Sequence, residues 1–211
     1  MRVKICGVTN LEDGREAVRL GAWALGLIHH EDSPRFCEPA VAAQIGSELR
    51  RRCELAGVFV NPTLNEVEDA VANAGLSIVQ LNGEEGPSFC TEAARRTGAK
   101  VIKAIHVASA ADVHGAEVYR TDFHIFDTRR GELRGGTGVA FDWELLAERR
   151  SEVPAIVAGG LTPDNVATAI DVTHPYAVDV ASGVEAEPGR KDHALLAAFF
   201  DAARDGAASP Q

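Results

Sequence analysis

Four groups of residues in this chain of 211 residues have the types and spacing for proton transfer on a phosphorylated ligand. The first is Cys6, which ends the apolar run Val3-Lys4-Ile5-Cys6 just before Gly7-Val8-Thr9-Asn10. A thiolate is a usable base when nearby positive charge draws its pKa toward neutrality. The second is Asp127, at the end of the apolar run 122–127 and upstream of Gly135-Gly136-Thr137-Gly138. An acid at a strand end often caps a helix, but no helical pattern starts for several residues here. A salt-bridge partner or an acid for proton transfer are the readings left for Asp127, beside a glycine loop able to close over a ligand. The third is Ser33-Pro34-Arg35, whose guanidinium has the fork geometry to grip a carboxylate. The fourth is a pair of glycine loops, Gly159-Gly160-Leu161-Thr162-Pro163 and Ala181-Ser182-Gly183-Val184. Backbone amides at such loops and at a helix N-terminus attract phosphate without a lysine.

Other chemistries find little support. There is no Ser-His-Asp spacing and no metal-ligand cluster. His29 and His30 are adjacent in a loop and are expected to be solvated. Cys6, Cys37, Cys53 and Cys90 form no CxxC pair, so they read as free thiols of a reducing compartment. Metal binding by these cysteines is not expected, because zinc sites usually need two close-spaced pairs.

To converge, these residues must stand at one end of one scaffold. Strand-like and helix-like segments alternate through the chain, eight of each, at the spacing of a βα unit. Strict alternation implies parallel strands with right-handed crossovers. The glycine-rich loops follow strands six, seven and eight rather than strand one, which favours an α/β fold of the (β/α)8 TIM-barrel type over an open doubly wound sheet. A single barrel domain is expected over residues 1–205, with a loose C-terminal tail over 206–211. Side chains alternate between barrel interior and helices. Arg2, Lys4 and Cys6 should point inward, with Val3 and Ile5 toward the helices. In the last strand Ala177 and Asp179 should point inward. Strands one and eight become neighbours on closure, so Lys4 and Asp179 are expected to pair, and Lys4 becomes a candidate to tune Cys6.

Composition narrows the partners. Apolar residues make up 45% and charged residues 25%, and the formal net charge is −10. No basic stripe offsets that charge, which argues against nucleic acid. No apolar run reaches membrane-spanning length, and the chain starts directly on a strand. The expectation is a cytoplasmic protein, monomer or homodimer, acting on a small molecule.

The motifs Lys4-Ile5-Cys6-Gly7-Val8-Thr9, Ser33-Pro34-Arg35, Gly57-Val58-Phe59-Val60-Asn61, Val79-Gln80-Leu81-Asn82-Gly83, Asp127 with 135–138, Ala158-Gly159-Gly160-Leu161-Thr162-Pro163 and Asp179-Val180-Ala181-Ser182-Gly183-Val184-Glu185 occur in order. Together they resemble the phosphoribosylanthranilate isomerase family of tryptophan biosynthesis. The resemblance implies a metal-free Amadori rearrangement of a phosphorylated aminosugar, with Asp127 as acid and Cys6 as base. It also implies that Arg35 holds an aryl carboxylate, that Gln80, Asn82 and Asp179 contact substrate, and that Gly159, Gly160, Ser182 and Gly183 hold phosphate. The chain departs from the family pattern in two places. Asn82 stands where a histidine is common, and the loop before Ser33 reads His29-His30-Glu31-Asp32 instead of aromatic residues and a lysine. A related barrel isomerase of histidine biosynthesis is the first alternative, although those enzymes use aspartate where this chain has Cys6. A non-catalytic ligand-binding barrel is the second, and the presence of both Cys6 and Asp127 argues against it.

Overall fold

A computed structural model describes residues 1–128 and 142–208, so the glycine loop at 135–138 lies outside the described residues. Eight parallel strands close into a barrel: β1 (Arg2–Cys6), β2 (Ala24–Ile28), β3 (Glu54–Phe59), β4 (Ile78–Leu81), β5 (Lys100–Val107), β6 (Phe123–Thr128), β7 (Ala155–Val157) and β8 (Ala177–Val180). Closure comes where β8 pairs with β1, with Lys4 opposite Asp179.

The helices between strands start and stop on local chemistry. In α1 (Leu11–Leu20), the Asn10 side chain accepts from the Asp13 amide, and Gly21 ends the helix at φ 102°. In α3 (Leu64–Ala74), Thr63 and Glu66 form a reciprocal capping box. With α2 (Pro39–Leu49), α4 (Pro87–Thr97), α5 (Ala110–Gly115), α6 (Val166–Thr173) and α7 (His193–Ala208), they shield the outer face of the strands.

Two expectations are corrected. The helix expected after β6 is a six-residue 3-10 helix, Trp143–Glu148, because the Asp142 carboxylate accepts from the Glu144 amide and tightens the turn. The last helix runs to Ala208, into the segment expected to be a loose tail. A short ribbon was not anticipated at all: β9 (Glu185–Glu187) pairs antiparallel with β10 (Arg190–Lys191).

The strand alternation is as expected. Val3, Ile5, Val178 and Val180 pack in the layer between strands and helices. A separate interior cluster contains Ile78, Ile102, Phe123, Ile125, Ile156 and Ala177. Burying each of the Ile and Phe side chains among them stabilises the barrel by about 1.5–3 kcal/mol. The N-terminal end is plugged by Trp23, Phe123 and Tyr176, whose ring centroids lie 5.0–5.6 Å apart. Arg2 lies over the Tyr176 ring at 4.3 Å. With that end filled, the C-terminal strand ends are left to carry a site. Among the described residues no helix is long and apolar enough to cross a membrane.

Candidate active site

Cys6 ends β1 inside the barrel mouth, one inward step above Lys4. Both are buried, and the Lys4 ammonium donates to Asp179 Oδ1 at 2.7 Å. The neighbouring strand makes room for them. A Cβ on Gly26 of β2 would come within 2.8 Å of Cys6 Sγ and 3.1 Å of Lys4 Nζ. Glycine is therefore what lets a thiol and an ammonium share this wall of the barrel.

Burial pushes the Cys6 thiol above its ordinary value. Lys4 and Lys191 pull it down, and Asp179 adds to the rise. The expected downward pull of Lys4 is thus present but is outweighed. Lys4 itself stays a firm cation: burial would lower its pKa, but Asp179 and Cys6 more than offset that and raise it.

Asp127 stands near the end of β6, opposite His106 of β5 in the strand register. It faces the loop after β7. A Cβ on Gly159 would lie 2.7 Å from Asp127 Oδ1. Gly159 and Gly160 both adopt positive φ, 84° and 65°, so the chain turns sharply there. Asn165 then stitches the turn to α6, accepting from the Thr162 amide at 2.8 Å and donating to the Gly160 carbonyl at 2.9 Å. Ser182 and Gly183 begin a 3-10 turn after β8. A Cβ on Gly183 would strike the Leu161 carbonyl, so the two glycine loops lie against each other. The four residues expected to hold phosphate are thus brought into one cradle beside Asp127.

Arg35 enters the same region from the loop after β2, but its fork is already engaged. Nε and Nη2 donate to the Glu185 carboxylate at 2.7–3.0 Å. Gln80 and Asn82 bond to each other, Nε2 to Oδ1 at 2.9 Å. The Gln80 Oε1 is buried without a partner among the described residues.

Three site residues escaped the sequence reading. His106, on the inward face of β5, bonds through Nε2 to the Asn82 carbonyl at 3.1 Å. A carbonyl only accepts, so Nε2 donates, and Nδ1 is buried without a partner among the described residues. Glu185 and Lys191 are the others. The Pro188-Gly189 turn between two short polar runs was the available signal for the ribbon that carries them.

His29 is half-buried rather than fully solvated. It stacks on Phe59 at 5.0 Å, and burial holds its pKa below the usual histidine value. Glu31 and Asp32 are exposed. No cluster of metal-ligating side chains occurs among the described residues. The four cysteines are free, and burial pushes Cys37 up to about 12 and Cys53 up to about 11.

Comparison with known proteins bears on the chain as a whole. The family model for N-(5'phosphoribosyl)anthranilate (PRA) isomerase matches residues 3–202. An N-(5'-phosphoribosyl)anthranilate isomerase of Geobacter metallireducens is 43% identical over 204 residues, covering 97% of this chain and 99% of the relative. The phosphoribosyl anthranilate isomerase of Thermotoga maritima has the same fold, with a TM-score of 0.87 at 39% identity over 97% of this chain and 99% of that one. A phosphoribosyl anthranilate isomerase solved with reduced 1-(o-carboxyphenylamino)-1-deoxyribulose 5-phosphate superposes with a TM-score of 0.84 at 38% identity, again covering 97% and 99%. The chain belongs to the N-(5'-phosphoribosyl)anthranilate isomerase family of enzymes.

Proposed function

We propose that this protein converts N-(5-phosphoribosyl)anthranilate to 1-(o-carboxyphenylamino)-1-deoxyribulose 5-phosphate by a metal-free Amadori rearrangement, a step of tryptophan biosynthesis in the cytoplasm. The phosphate docks on Gly159, Gly160, Ser182 and Gly183. Asp127 gives its proton to the ribose ring oxygen as the bond from that oxygen to C1′ breaks. The aryl nitrogen lone pair forms the C1′=N bond, leaving an iminium. Cys6, as thiolate, then takes the proton from C2′, and the freed electron pair forms the C1′=C2′ enolamine. The enol hydroxyl loses its proton and C1′ gains one, which yields the ketone. The iminium is the electron sink, so the reaction needs no cofactor.

The observation that carries this reading is the contact of Asp127 with Gly159. The ring oxygen is separated from the phosphate ester oxygen only by C4′ and C5′. An acid beside the phosphate cradle therefore reaches the ring oxygen, while C2′ lies on the far side of the sugar, toward Cys6. The raised pKa of Cys6 is consistent with this order of events, because the iminium formed by ring opening puts new positive charge near the thiol. Arg35 has its outer Nη edge left for the aryl carboxylate, with Glu185 on its inner edge. Gln80, Asn82 and Asp179 complete the wall around the substrate. A relative from Thermotoga maritima is described as dimeric, and a monomer or homodimer is proposed here.

The test uses substrate generated in situ from anthranilate and phosphoribosyl pyrophosphate. Purified protein accelerates the loss of its fluorescence and yields the ketose product. Decay at the spontaneous rate would sink the proposal.

A further inference from the structure

Lys191 sits at the end of the chain's one short ribbon among the described residues, yet its side chain reaches the centre of the site. It is fully enclosed, and its ammonium has three protons and three acceptors. It donates to the Cys6 carbonyl at 2.6 Å, to the Ala181 carbonyl at 3.1 Å and to Glu185 Oε1 at 2.9 Å. Each acceptor belongs to a different part of the machinery: the strand end carrying the base, the approach to the phosphate cradle, and the carboxylate that holds Arg35. The ribbon is itself clamped to the first βα loop. Asp13 accepts from the Lys191 amide at 2.9 Å and is bonded by His193 Nε2, and the Thr9 hydroxyl donates to the Gly189 carbonyl. A lysine buried this way is costly unless every proton is satisfied. Here the cost is met by groups that belong to the site.

We propose that Lys191 is a positioning residue for the isomerisation, fixing the backbone of Cys6 relative to the phosphate loop and, through Glu185, fixing the direction of Arg35. This rests on the isomerase reading given above. Lys191 touches no reacting atom in this scheme and acts through its neighbours. The charged groups facing Cys6 are Lys4 from its own strand, Asp179 from β8 and Lys191 from the ribbon, while β2 contributes only Gly26. Lys4 and Lys191 both act on the thiol, but only Lys191 also bonds the Cys6 carbonyl, so it bears on the place of the thiol as well as its field.

The experiment compares wild type, Lys191→Met, Lys191→Arg and Glu185→Gln. It reads kcat and KM on the anthranilate substrate and, separately, the alkylation of Cys6 by iodoacetamide against pH, resolved by peptide mass spectrometry. Lys191→Met is expected to lower kcat about tenfold or more and to move Cys6 alkylation to higher pH, since one cation is gone. Lys191→Arg restores the alkylation profile toward wild type. Glu185→Gln raises KM with kcat largely kept, because Arg35 loses its charged anchor. A fall in kcat with an unmoved alkylation profile overturns the proposal, as it marks a merely structural lysine. If Lys191→Met does not fold, Glu185→Gln decides, and an unchanged KM overturns it. If wild type fails to turn over the substrate, the isomerase reading fails and the role in isomerisation with it, while a shifted alkylation profile in Lys191→Met still shows that Lys191 acts on Cys6.

Discussion

Lys4 and Asp179 form an ion pair of 2.7 Å across the seam where β8 meets β1; Lys4 is fully enclosed and Asp179 is buried. The pair closes the barrel and forms the floor beneath Cys6. Removing one member leaves a buried charge alone, which costs about 3–5 kcal/mol, whereas removing both leaves none. Lys4→Met and Asp179→Leu are therefore each expected to destabilise strongly, and the double variant by clearly less than the sum. Urea unfolding of the four proteins checks this, and simple additivity contradicts it.

Gly26 is expected to be intolerant of even one carbon. A Cβ there would press on Cys6 Sγ at 2.8 Å and on Lys4 Nζ at 3.1 Å. Gly26→Ala should cost about 1–3 kcal/mol of stability by overpacking. Activity should fall about a hundredfold through displacement of the thiol. Steady-state kinetics beside thermal unfolding separates the two effects, and a variant with wild-type kcat counts against the placement of Cys6.

The contact of the two glycine loops makes a separate forecast. Gly183→Ala would drive a methyl group into the Leu161 carbonyl and part the loops. KM should rise by about tenfold or more, and inorganic phosphate should inhibit correspondingly less well. Unchanged inhibition by phosphate would remove these loops from the anion site.

The Arg35–Glu185–Lys191 chain makes stability depend on acidity. Burial alone would raise the Glu185 carboxyl, but Arg35 and Lys191 outweigh it and hold its pKa below the ordinary 4.5. A carboxyl depressed in the folded state contributes stability that is present above its unfolded pKa. That contribution is lost as pH falls through the folded value. Glu185→Gln should therefore be less stable than wild type at neutral pH, and the gap should narrow as the pH drops below about 4.5. Denaturant midpoints across that range provide the check, and a gap independent of pH counts against the network.

Much of this was legible in the sequence because strand periodicity is a local property. Alternation in β1 and β8 was enough to aim Lys4 and Asp179 at each other, and the glycines after β7 and β8 marked two loops that the fold packs together. The Lys191 network was not legible. Lys191 and Cys6 are 185 positions apart, and Arg35 and Glu185 are 150 apart. Only closure of the barrel brings them together, and no pattern along the chain encodes a three-acceptor lysine. The same holds for Arg35, whose fork looked free for a ligand until the fold supplied Glu185. Burial misled in the other direction at Cys6, where strand alternation showed a lysine on the same inward face but not the desolvation that outweighs it.

The central claim is that Asp127 donates the proton that opens the ring and Cys6 removes the one on C2′. The most direct measurement is the fluorescence decay of substrate made in situ, with wild type, Cys6→Ala and Asp127→Asn compared at equal concentration. Wild type should accelerate the decay, and each variant should lose about a hundredfold or more of that acceleration, the scale of one general acid or base. A variant lacking either group that keeps the wild-type rate would contradict the account.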